Sequence, residues 1–147
     1  VFFSAGDKDF DGTTVDEDLA RMDADYRSAV ARLGLNPPRM PYHLMASPNG
    51  RLYYTLDSLV IGAHVEDHNK RTVGVAGFGD FTSKVPSLIQ LAVYGGACAI
   101  VWRGLLRKVP ITGHRFFSGQ STVCPGNTFR PGWETTVESV AKSFAGF

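Results

Sequence analysis

Apolar residues at Val15, Leu19, Met22, Tyr26, Ala29, Val30 and Leu33 recur at spacings of three and four, the period of a helix with one buried stripe. Thr14 opens the run and Glu17 follows three residues later, a capping-box form, so the pattern predicts a first helix ending at about Leu33. Gly34 supplies a stop and Pro37-Pro38 an extended linker. Tyr42 to Ala46 and Arg51 to Thr55 read as two strands joined through the turn Pro48-Asn49-Gly50, a hairpin. Val1-Phe2-Phe3 predicts a strand ahead of them, and Thr72 to Ala76 another behind.

A long second helix follows, capped by Ser83 or a neighbour and carrying Pro86 in its first turn, where the missing amide costs least. It should run to about Arg107 with Leu88, Leu91, Ala92, Ala99, Trp102 and Leu106 inward. Ile111 to Gly113 is a short last strand, and Glu134 to Phe144 a closing helix. The imperfect alternation predicts an α/β fold, a mixed central sheet of about five strands with helices packed on its faces.

The 147 residues suit one domain, 1–147, able to bury roughly 70% of its unfolded surface. With 44% apolar and 20% charged residues and a net charge of only +1, nothing resembles a disordered tail or a nucleic-acid arm. The apolar stretch from Ile89 to Trp102 is interrupted by Gln90, Gly95 and Gly96 and reads as too short to span a bilayer. No nucleic-acid or membrane partner is therefore expected. The chain opens on Val1 without a basic segment leading into an apolar one, which suggests an excised domain or processed product.

Candidate chemistry centres on the stretch Ile111 to Asn127, where His114 is followed by Cys124 directly before Pro125-Gly126. An imidazole and a thiolate on neighbouring loops are ligand types that zinc accepts, although two donors fall short of a structural four-ligand signature. The other reading is a surface histidine and an inert cysteine, or a disulfide between Cys98 and Cys124. His43 neighbours Tyr42 in a strand and so faces the other way, as a core histidine with a hydrogen-bonded ring. His64 and His68 sit four apart in a polar loop, a metal pair if helical and surface or groove residues otherwise. Trp102 and Trp133 read as core or rim aromatics, and Tyr53 and Tyr54 as hairpin packing.

Taken in order, Pro41-Tyr42-His43-Leu44, Asn49-Gly50-Arg51, Gly62-Ala63-His64 with His68-Asn69, Thr72-Val73-Gly74-Val75, Gly79-Asp80-Phe81, and Gly113-His114 with Thr122-Val123-Cys124-Pro125-Gly126 resemble the type 2 N-acetylmuramoyl-L-alanine amidases and peptidoglycan recognition proteins. The match is colinear over about residues 1 to 130. It implies a zinc-dependent hydrolase that cuts the amide between N-acetylmuramic acid and L-alanine at the root of the peptidoglycan stem peptide, acting at the bacterial cell wall as a secreted, periplasmic or phage-delivered protein. His114 and Cys124 become two of three zinc ligands, Tyr42 attends the developing oxyanion, and Thr122 helps polarise the scissile carbonyl. His64 and Asn69 would lie along the substrate groove.

The family's first ligand, a histidine at the end of the first strand, aligns with Phe2, which binds no metal. Asp7 or Asp9 could stand in; their stretch, Asp7-Lys8-Asp9-Phe10-Asp11-Gly12, also echoes a calcium loop, but position 18 is Asp18 where a glutamate is expected. The alternative function is a non-catalytic module that binds a muropeptide on the same fold with a degraded zinc site. A third is a structural part of a phage tail or secretion device.

Overall fold

The computed structural model describes residues 2–5 by their backbone, and residues 14–128 and 132–146 in full. Four strands make one mixed sheet in the order β1-β4-β2-β3, where β1 is Phe2–Ala5, β2 is Leu44–Ala46, β3 is Leu52–Tyr54 and β4 is Val75–Phe78. β1 and β2 flank β4 in parallel, while β3 pairs antiparallel with β2. β4 is buried along its whole length, as a central parallel strand covered on both faces must be.

The register places Leu44 opposite Val75 and Ala46 opposite Gly77. Leu44, Ala46 and Val75 pack on one face with Tyr94, Ala97, Cys98 and Trp102 of α2, Leu88–Leu105, and with Trp133, Val137 and Ala141 of α3, Trp133–Ala145. Met45, Ala76 and Phe78 belong to a second cluster with Val65, against which Met22, Tyr42, Tyr53, Phe117 and Cys124 pack. The period of two in β2 and β4 thus sorts their side chains into two cores.

α2 and α3 approach closely because Gly95 has no side chain: a Cβ there would lie 2.4 Å from Val140 Cγ1. α2 starts at a capping box in which Ser87 and Gln90 exchange bonds of 3.1 Å, and the Gln90 amide also donates to Phe78 O at 3.1 Å. The expected start near Ser83 therefore moves to Ser87, and Pro86 precedes the cap instead of lying in the first turn. By length and composition α2 could cross a membrane, a correction to the reading of its stretch as too short. Here it is a core helix, with Tyr94 and Ala97 fully buried.

The first helix, α1 at Val15–Leu33, has the expected capping box of Thr14 and Glu17 and ends at Gly34 in the left-handed region. Its apolar stripe does not bury as expected, since Val15, Leu19 and Leu33 are each nearly half exposed. A polar knot holds the helix instead. The fully buried Asp18 accepts from Arg51 Nε and from the Tyr53 hydroxyl, both at 2.6 Å, tying α1 to the hairpin of β2 and β3. Charge-assisted bonds of this length are the stronger kind.

The hairpin forms as expected, with Gly50 at φ +91° and Ser47 N donating to Arg51 O at 2.9 Å. The strand expected at Thr72 to Ala76 begins three residues later, at Val75. No strand forms at Ile111 to Gly113. Gly113 makes only an isolated bridge before a 3-10 turn at His114–Phe116, so the described sheet has four strands, not about five. Leu88 and Leu106, expected inward, are 80% and 85% exposed, because the helix starts and ends where they stand. Leu106 caps α2 at φ +53°, a left-handed conformation that costs a non-glycine residue roughly 1–2 kcal/mol. No disulfide joins Cys98 and Cys124, which overturns that alternative.

Candidate functional site

His114 and Cys124 come from two arms of one loop. The His114 arm turns through the 3-10 segment and the Cys124 arm returns beside it, with Arg115 N donating to Cys124 O at 3.0 Å. Gly113 lies against Pro125, since a Cβ there would meet Pro125 Cδ at 2.7 Å. Gly126, at φ +131°, passes so near Phe81 O that a Cβ would stand 2.2 Å away, so both glycines are set by close backbone approach. The Arg115 guanidinium closes the loop by donating to Asn127 Oδ1 at 3.1 Å and to Gly126 O.

Within this loop His114 Nε2 lies 2.9 Å from Gln120 Oε1, an acceptor, so Nε2 carries the proton and Nδ1 holds the lone pair. Burial lowers the His114 pKa and the Gln120 bond opposes that shift, leaving a neutral ring, the form that binds metals. Gln120 is a partner of His114 that the sequence offered no signal for beyond the Ser118-Gly119 turn before it. Thr122 Oγ1 accepts from Cys124 N at 3.1 Å and so shapes the cysteine's turn. Tyr42 shares the cluster of Met45 and Phe78 with Cys124, and its phenol is raised well above the ordinary value, first by burial and then by the charge of Cys124. Tyr42 and Cys124 therefore pack on one buried cluster with Thr122 bonded to the cysteine's amide, and His114 stands on the neighbouring arm of the loop.

His64 and Asn69 serve the protein's own framework. His64 is 5% exposed; Nδ1 is 3.0 Å from Pro41 O and Nε2 is 3.0 Å from Thr72 Oγ1. Pro41 O can only accept, so Nδ1 carries a proton. Asn69 Oδ1 accepts from the amides of His64 and Val65 at 2.7 and 2.8 Å. The ring lies in a slot between Gly62 and Gly74, where added Cβ atoms would stand 2.3 and 2.8 Å from it. Burial drives the His64 pKa down to about 3. His68 points elsewhere, its ring 5.0 Å from Phe117 and Nε2 3.3 Å from Ser118 O, so it forms no metal pair with His64.

His43 is the core histidine expected. Gly74 N donates to Nδ1 at 3.0 Å, which leaves Nε2–H to donate to Val60 O at 3.0 Å. Its pKa is lowered, chiefly by burial. The two neutral rings meet edge to face, with centroids 5.3 Å apart.

A zinc centre takes at least three protein ligands. Among the described residues no group of three His, Cys, Asp or Glu side chains could hold a metal ion, so His114 and Cys124 do not complete such a site from these residues. The side chain of Phe2 and the residues Asp7 to Gly12, which hold the proposed substitutes and the calcium-like pattern, lie outside the described residues.

No protein-family model matches the chain, and no curated protein matches it. Solved structures do. PGRP-SA of the bumblebee is 19% identical with a TM-score of 0.74, over 86% of this chain and 74% of that one. Human PGRP-IBETAC, solved in complex with glycosamyl muramyl pentapeptide, is 16% identical with a TM-score of 0.72, over 86% and 75%. The N-acetylmuramoyl-L-alanine amidase LysC of Clostridium intestinale is 17% identical with a TM-score of 0.65, over 97% and 80%. The chain thus has the α/β fold shared by peptidoglycan recognition proteins and N-acetylmuramoyl-L-alanine amidases.

Proposed function

We propose that the chain is a recognition module for peptidoglycan fragments, which holds a muropeptide beside Tyr42, His114, Thr122 and Cys124 and does not cut it. What supports this reading is the donor set: His114 and Cys124 stand on neighbouring arms of one loop, no group of three metal-ligating side chains forms among the described residues, and the family resemblance aligns Phe2 with the first ligand histidine. Support for the ligand class comes from neighbours on this fold solved with muramyl pentapeptide or with tracheal cytotoxin.

A second reading, zinc-dependent cleavage of the bond between N-acetylmuramic acid and L-alanine, is favoured by one observation. Tyr42 and Cys124 pack on the same buried cluster of Met45 and Phe78, a grouping that holding a ligand does not require. In that case Cys124, His114 and a residue outside the described set would hold the metal, with Tyr42 and Thr122 attending the carbonyl.

Mass spectrometry of purified muropeptides after incubation with the protein and zinc separates the two. The expected result is unchanged muropeptide mass with binding retained in calorimetry; release of a free stem peptide starting at L-alanine overturns the recognition reading. Zinc content should be well below one equivalent in the native protein. Phe2→His should raise zinc affinity at least tenfold, and loss of His114 or Cys124 in that background should reverse the gain.

A further inference from the structure

A cavity of about 690 Å³ opens at the C-terminal end of α2, beside the first core cluster. Its size falls within the range of small-ligand sites, roughly 300–1,000 Å³. Val75, Cys98, Val101 and Trp102 form an apolar floor. The Trp102 indole donates to Val109 O at 3.0 Å and so pins the segment after α2 as a wall. Cys98 is buried and its thiol is pushed up to about 12, an uncharged group at working pH.

The rim differs from the floor and from the rest of the chain. Lys70 and Arg71 stand on one segment and Arg107 and Lys108 on another, and no Asp or Glu appears among the described lining residues. In a chain with 15 basic and 14 acidic residues, one hollow holds four cations and no acid. Glu138 lies beside Lys108 on an adjoining hollow of about 290 Å³, but its carboxylate is held chiefly by Lys142 at 2.7 Å. Apolar side chains extend to the mouth: Leu59 is 91% exposed and Leu105 48%. Isolated exposed leucines need no explanation, but these border a cavity whose floor is also apolar.

We propose that this cavity binds a single-chain anionic amphiphile, its acyl chain over the Val101 and Trp102 floor and its headgroup between Arg71 and Arg107. Apolar lining favours a chain that sheds water on entry. Guanidinium forks favour a planar or tetrahedral oxyanion such as a carboxylate or phosphate. The commitment to one molecule, not a lipid surface, rests on concavity: the apolar side chains line a half-open hollow as well as its mouth. The cavity shares Phe117 with the Tyr42 and Cys124 cluster but is lined by none of Tyr42, His114, Thr122 and Cys124, and its occupancy does not depend on the muropeptide reading.

The test is titration of the whole chain with laurate below its micelle-forming concentration, read by tryptophan fluorescence and calorimetry, beside 1-dodecanol as a neutral probe of equal length. One-to-one saturable laurate binding, at least tenfold tighter than 1-dodecanol, is expected. Arg71→Glu with Arg107→Glu should weaken laurate at least tenfold and leave 1-dodecanol within a factor of two. Val101→Trp should abolish binding of both by filling the floor; if that variant loses its native circular dichroism, Leu105→Trp at the mouth replaces it. Absence of saturable laurate binding, equal affinity for the two probes, or unchanged laurate affinity in the charge-reversed variant overturns the proposal. So does association with phosphatidylglycerol vesicles when dispersed laurate gives no saturation.

Discussion

Gly77→Ala is expected to destabilise the chain by about 4 kcal/mol, beyond the 1–3 kcal/mol usual for an overpacked core. The added Cβ would stand 1.7 Å from the Tyr94 hydroxyl oxygen and 2.6 Å from Cζ. Tyr94 is fully buried between β4 and α3 on a helix whose own position is set by Gly95 against Val140, so neither partner can retreat cheaply. Removing the hydroxyl should relieve the worst contact and not the rest. Gly77→Ala in a Tyr94→Phe background should therefore cost less than in the native chain, a coupling readable from a double-mutant cycle in urea. A loss below 1 kcal/mol for Gly77→Ala alone would mean that the Tyr94 ring does not occupy this space.

Mild acid should remove stability through the two buried histidines. Both rings have pKa values lowered by burial in the folded chain, His64 to about 3, so below the ordinary value near 6.5 the unfolded chain binds more protons. Stability is then complete above about pH 6.5 and falls as pH drops toward the folded value. For His64 the slope approaches about 1.4 kcal/mol per pH unit below its unfolded value, a loss of about 2 kcal/mol by pH 5, and His43 adds to it in the same direction. Urea midpoints between pH 7 and pH 5 check this above the carboxylate range. His64→Gln should be less stable at pH 7 and should lose one proton's worth of the slope. A flat profile over that window would contradict the neutral paired rings.

What the sequence revealed follows the range of the interactions involved. The bounds of α1 were legible at Thr14, Glu17 and Gly34 because caps are local chemistry, and the Pro48-Asn49-Gly50 turn announced its hairpin for the same reason. The place of β4 was not legible. Gly77 reads as a strand breaker, yet it is required there because a tyrosine from α2 fills its side-chain space. Val15 and Leu19 keep helical period yet stay about half exposed, so periodicity alone misplaced the buried side of α1.

The site shows the same division. His43 was readable as a core residue from its neighbour Tyr42, whereas His64 is held by Gly62 and Gly74, whose meeting across its ring only the fold creates. The cationic rim at Lys70, Arg71, Arg107 and Lys108 combines segments some 36 positions apart and leaves no local pattern.

The knot of Asp18, Arg51 and Tyr53 also bears on how the chain breathes. α1 buries few apolar side chains, while α2 and α3 clasp each other and the sheet through Trp102, Val137 and Ala141. Amide protons of α1 should thus exchange with solvent through a local opening that leaves the rest intact, and those of α2 only when the whole molecule comes apart.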